Sequence, residues 1–121
     1  MFEYGNAFSG FAVDDVASAR RFYGTTLQLP CTQAPGQLRL ELAPHTHVLV
    51  YEKADHAPAA YTVLNFPVRD VQAAVHELSG RGVVFEPLDD AGGDGIFRRG
   101  DTAMAWFRDP SGNILSILEQ D

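Results

Sequence analysis

Hydrophobic and polar positions follow two different periods along this chain. Phe8 to Val13 is a short run rich in strand-forming residues, and Tyr61 to Val68 is its partner. Each run ends in an aspartate suited to capping a helix: Asp14 or Asp15 in the first, Asp70 in the second. The period then lengthens. Val16, Ala19, Phe22 and Tyr23 share one helical face, as do Val71, Ala74, Val75 and Leu78, with Gly24 and Gly80 as the expected stops. More strands follow, near Leu38–Leu42 and Val48–Glu52, with a short one around Cys31. The second half offers Val83–Phe85, Ile96–Arg98, Ala103–Phe107 and Asn113–Leu118. Asp109-Pro-Ser-Gly-Asn113 is a strong turn signal between the last two, and Ala43-Pro44 is a weaker one.

The two halves are therefore alike. Phe, Val, Asp, Val and Ala recur in register at 11/66, 13/68, 15/70, 16/71 and 19/74, an offset of 55. Further on, Pro44 matches Pro110 and Val48-Leu49 matches Ile114-Leu115, an offset of 66. The difference places an insertion of eleven residues in between, and the loop-like stretch Leu88–Gly95 is its natural seat. Each half reads as strand, helix and about three strands. One such βαβββ unit has a helix for only one face of its sheet. The expected fold is thus α+β: two tandem modules, 1–56 and 57–121, with curved mixed sheets around a concave cleft and the helices outside.

Alternation assigns side chains to that concavity. It takes Phe8, Gly10 and Ala12 from the first strand, and Tyr61, Val63 and Asn65 from its repeat. It takes Ile114, Ser116 and Leu118 from the last strand and, at an offset of 66, Val48, Val50 and Glu52. If the leucines of Leu38–Leu42 are core, Arg39 and Glu41 reach the cleft. The same offset puts Phe107 inside and Trp106 with the core.

Composition narrows the function. The 121 residues carry 9 Lys and Arg against 16 Asp and Glu, a formal net charge of −7. That balance repels polyanions and anionic membranes, so neither nucleic acid nor a membrane surface is an expected partner. A lone cysteine, Cys31, excludes an internal disulfide and any multi-cysteine metal centre. No secretory signal and no membrane span is visible, and a cytoplasmic location is expected.

Three segments carry a family resemblance. They are Val13-Asp-Asp-Val16 with Arg21-Phe-Tyr-Gly24; Phe66-Pro-Val-Arg-Asp-Val71 with Leu78-Ser-Gly-Arg-Gly-Val-Val-Phe-Glu-Pro87; and Ala105-Trp-Phe-Arg-Asp-Pro-Ser-Gly-Asn-Ile-Leu-Ser116. Over essentially its whole length the chain resembles the vicinal oxygen chelate superfamily: glyoxalase I, extradiol dioxygenases, and fosfomycin- and bleomycin-resistance proteins. It looks most like small bacterial glyoxalase-like proteins without an assigned reaction. The resemblance implies one divalent metal held by His, Gln or Glu from the first and last strands of each half. Those positions here are Phe8, Val63, Ser116 and, at an offset of 66, Val50. None suits a first-row metal, and a serine hydroxyl alone cannot hold one against water. No metal and no other cofactor is expected.

Other candidates are weak. His45 and His47, spaced i, i+2 just after Pro44, could share a strand face that is opposite to Val50 and so points away from the cleft. His56 falls in the linker between halves and His76 on the polar helix face. Cys31 has no evident base and reads as a small buried hydrophobe. Asp109 reads as a turn residue, and Gly92-Gly93 with Gly95 lacks the spacing and lysine of a phosphate loop. The expected ligand-binding set is Phe8, Arg39, Glu41, Val50, Glu52, Val63, Asn65, Phe107 and Ser116. Three functions fit: a metal-independent small-molecule binder of the bleomycin-resistance type, a superfamily enzyme with a non-standard site, or a regulatory or structural dimer with a vestigial cleft. Homodimer formation is expected, since family members commonly pair and sheet edges need cover.

Overall fold

A computed structural model describes residues 1–86 and 95–120. The chain divides into two compact units, Met1–Ala57 and Pro58–Asp121. In the first, β1 (Ser9–Val13) leads into α1 (Val16–Arg20), and then β2 (Cys31–Ala34), β3 (Gln37–Ala43) and β4 (Thr46–Glu52) follow. The sheet order is β1-β4-β3-β2, with β1 parallel to β4 and the other pairs antiparallel. In the second, β5 (Thr62–Val68) leads into α2 (Val71–Gly80), followed by β6 (Phe85–Glu86), β7 (Phe97–Arg99), β8 (Thr102–Arg108) and β9 (Ile114–Glu119). Here β5 runs parallel to β9, β8 lies beside β9, and β6 and β7 pair with the same edge of β8. Each unit is thus an open mixed sheet with one helical segment, the α+β architecture expected from the repeat. Of the expected Leu88–Gly95 loop and its Gly92-Gly93 pair, only Gly95 lies within the described residues.

Each sheet has one helix-packed face. In the first unit, Phe11, Val13, Leu38, Leu40, Val48 and Val50 are buried with Ala19 and Tyr23 of the helical segment. Phe11 meets Tyr23 with ring centres 6.0 Å apart, which fixes the side on which the helix lies. Full burial of such side chains is worth roughly 1.5–3 kcal/mol each. In the second unit Ala103, Ala105, Phe107, Leu115 and Ile117 play the same part under α2 and Val71.

The first helix does not stop at Gly24. It continues as a π-helical segment, Arg21–Thr26, closed by a bond from the Leu27 N–H to the Phe22 carbonyl. Both helices begin alike. The Asp15 carboxylate accepts from Ala17 N–H, and the Asp70 carboxylate from Ala73 N–H. The Ser18 hydroxyl and then the Ala17 amide hold the Asp15 carboxyl below its ordinary range. A second carboxylate reaches each helix from the end of the unit's last long strand. Glu52 Oε1 accepts from Val16 N–H at 3.0 Å, and Glu119 Oε2 from Val71 N–H at 3.0 Å. Beside them, Lys53 N–H bonds Val13 O and Gln120 N–H bonds Val68 O.

These paired bonds set the true register of the repeat. Val16 and Val71 are 55 apart, but Glu52 and Glu119 are 67 apart. Strand pairing agrees: Leu40↔Val48 and Leu38↔Val50 correspond to Phe107↔Leu115 and Ala105↔Ile117. The expected offset of 66 is one residue short. A slip of one residue turns every side chain of a strand to the other face. At the corrected offset His45, in the left-handed conformation at φ 64°, matches Gly112 at φ 86°.

Candidate functional site

The side chains on the face of each sheet away from its helix are exposed or half-buried, Ser116 apart. In the first unit this open face carries three cross-strand rows. Phe8, just before β1, meets His47 on β4, which pairs with Glu41 on β3. Next come Gly10, Leu49 and Arg39, and then Ala12, Tyr51 and Gln37. The Phe8 and His47 rings stack with centres 4.4 Å apart, and Phe8 remains 56% exposed. Arg39 Nε donates to Glu41 Oε1 at 2.8 Å. A Cβ on Gly10 would stand 2.8 Å from the Leu49 carbonyl oxygen, so only glycine lets β1 lie this close to β4.

In the second unit Asn65, Ser116, Trp106 and Glu86 form one row across four strands. Leu118, Met104 and Phe97 form the next, with Pro67 at its β5 end. Ser116 is fully buried, and its hydroxyl donates to Asn65 Oδ1 at 2.5 Å. Phe97 and Trp106 lie with ring centres 6.1 Å apart. Arg108 Nε donates to Glu86 Oε1 at 2.7 Å. Both open faces thus hold an Arg–Glu pair, so the net acidity of the chain is not concentrated on either.

Several expected positions lie on these open faces: Phe8, Arg39 and Glu41 on the first, Asn65 and Ser116 on the second. Three do not. Val50, fully buried, pairs with Leu38 and Phe11 on the helix-packed face. Glu52 caps the first helix. Phe107 is 1% exposed, packed edge-on against Phe85 and paired with Leu115. All three follow from the single register slip. The residues they displace are Leu49, Tyr51 and Trp106, and the same correction brings His47 onto the open face rather than away from it. Val63 is half-buried at a bulge, where Thr62 pairs with Ile114 and Leu64 with Leu115.

The superfamily metal positions can now be tested against the chemistry of their side chains. With the corrected register they are Phe8, Leu49, Val63 and Ser116. Three are hydrocarbon, and the fourth is a hydroxyl already donated to Asn65. These residues do not fit a divalent metal. Among the described residues, no group of three or more His, Cys, Asp or Glu side chains is arranged to hold one.

The remaining candidates have structural places. Asp109 is 4% exposed and its carboxylate accepts from the backbone N–H groups of Ser111 and Asn113 and from the Asn113 amide, each at 2.9 Å. His45 occupies the β3–β4 turn, His76 lies exposed on α2, and His56 follows β4 with its Nε2 buried. Cys31 is half-buried, its thiol donating to Leu29 O, and burial pushes that thiol up from its ordinary range. No helix among the described residues is long and apolar enough to cross a membrane.

Known proteins share this architecture. A glyoxalase-family protein from Bacillus anthracis superposes with a TM-score of 0.70 at 21% identity, covering 100% of both chains. A glyoxalase/bleomycin resistance protein from Catenulispora acidiphila gives 0.66 at 23% identity over 96% of this chain and 98% of the other. The fosfomycin resistance protein FosX from Listeria monocytogenes gives 0.73 at 11% identity over 95% and 92%. At these identities the likeness is one of fold. No curated protein matches the sequence. The sequence profile of the Glyoxalase/Bleomycin resistance protein/Dioxygenase superfamily matches residues 7–117, and the chain belongs to that superfamily.

Proposed function

We propose that the protein binds a small organic molecule on the open faces of its sheets and does so without a metal. The observation that carries this reading is the side-chain set at the superfamily's ligand positions: Phe8, Leu49, Val63 and a Ser116 hydroxyl turned to Asn65. An apolar surface with a few fixed polar groups is what small-molecule sites commonly present. On the first sheet the apolar part is Phe8, Leu49 and Tyr51 and the polar part His47 and the Arg39–Glu41 pair; on the second they are Trp106 and Met104 with Asn65 and the Arg108–Glu86 pair. A second reading, a metal-free acid–base enzyme, is favoured by His47, which faces the same side as Glu41. The exposed rings of Phe2 and Tyr4, together with β1 and β2 as the end strands of their sheet, support pairing of two copies.

The test uses Trp106, the one tryptophan of the chain, as a built-in reporter on the second open face. The protein is titrated with a library of small organic compounds while its fluorescence is read, once in EDTA and once with nickel, zinc or manganese. The reading expects saturable changes that are equal under both conditions. Changes seen only with added metal would overturn it.

A further inference from the structure

The open face of the first sheet has a shape that selects among ligands. Gly10 contributes no side chain to the middle row and Ala12 only a methyl group, so the β1 side of this face is low, with the Leu49 backbone closed up against Gly10. Phe8 and Tyr51, both exposed, stand two rows apart on either side of this low middle row. At ~3.3 Å per residue that separation is about 13 Å, which leaves space for one or two fused aromatic rings between them.

The β3 side supplies charge. Arg39 gives its Nε to Glu41, while its terminal nitrogens meet no acceptor among the described residues. The bond to Glu41 steadies the guanidinium, whose planar fork matches a carboxylate. The imidazole of His47, stacked on Phe8, makes no side-chain hydrogen bond among the described residues and offers a second polar contact on this face. A cationic ligand, which the net charge of −7 would otherwise attract, finds here only a Glu41 already bonded to Arg39.

Resting on the small-molecule reading above, we propose that this face binds planar aromatic carboxylates of one or two rings. The ring lies over Gly10 and Leu49 between Phe8 and Tyr51, and the carboxylate meets the terminal nitrogens of Arg39.

Calorimetric titration of the full chain in EDTA tests this with three probes of one shape: 2-naphthoate, 2-naphthalenemethanol and 2-naphthylmethylammonium. The proposal expects saturable binding of 2-naphthoate, tighter than either other probe. Arg39→Gln should weaken it at least ~10-fold, as loss of a charge-assisted bidentate contact does. Tyr51→Ala should weaken it several-fold, and Arg69→Gln, a charge control at an exposed site, should leave it unchanged. Binding of 2-naphthoate that is indifferent to Arg39→Gln would overturn the proposal, as would no binding of that probe. If the alcohol or the ammonium compound binds and 2-naphthoate does not, the aromatic-acid assignment falls while the small-molecule reading stands. If none of the three binds, the assignment falls and the broader reading is decided by the Trp106 titration.

Discussion

Val50→Asp is expected to unfold the first unit, while Tyr51→Asp, one residue along, leaves it folded. Val50 is fully buried between β1 and β3, paired with Phe11 and Leu38 on the face that the helix covers. An aspartate there has no partner and no water, and burial of an unpaired charge costs about 4 kcal/mol or more. Tyr51 is 39% exposed on the other face. Its replacement forfeits some strand preference and ring packing, about 1 kcal/mol. Denaturant melts of the two variants read the difference directly. Equal damage from both would mean that the faces of β4 are assigned the wrong way round, and with them Leu49, Tyr51 and His47.

Asp109→Ala should be nearly as damaging, with a loss of about 3 kcal/mol. The Asp109 carboxylate is buried with Asn113, which is 2% exposed, and the bonds it accepts from Ser111 and Asn113 tie the β8–β9 turn together. Alanine leaves two backbone N–H groups and a side-chain amide without their acceptor, and each buried orphan costs ~1–3 kcal/mol before relaxation. The turn also relies on Gly112 in the left-handed region, within 3.4 Å of Pro58 where a Cβ would stand. Asp109→Asn keeps the shape and one acceptor oxygen, so its loss should be smaller. Chemical denaturation of both variants gives the comparison. A stability of Asp109→Ala within ~0.5 kcal/mol of the parent would show that the carboxylate is not what holds the turn.

The modules, their helices and the closing turn were legible because each rests on local signals: a period, a capping aspartate, an Asp-Pro-x-Gly-Asn turn. Facing was not legible to the same degree, because it depends on register, and register is fixed by hydrogen bonds between strands far apart in sequence. Matching Pro44 to Pro110 aligned two residue types, whereas the structure matches His45 to Gly112 through a shared left-handed backbone. The better signal was present. Val48-Leu49-Val50-Tyr51-Glu52 aligns with Leu115-Ser116-Ile117-Leu118-Glu119 at an offset of 67, buried residue on buried residue and ending on the two helix-capping glutamates. That one correction moves Val50, Glu52 and Phe107 off the candidate site and brings His47, Leu49, Tyr51 and Trp106 onto it. Residues of the first strand and Asn65 needed no change, since the 55-residue offset there is anchored by the capping aspartates themselves.

The central claim is that this superfamily member works its open sheet faces without a metal, and elemental analysis tests it most directly. The purified, tag-free protein is dialysed against nickel, zinc, manganese and iron, then desalted. A hydrocarbon and hydroxyl donor set predicts less than about one-tenth equivalent of any of them. Near-stoichiometric retention of one metal would contradict the claim, since Phe8, Leu49, Val63 and Ser116 could not then be the side chains that stand where the metal is held.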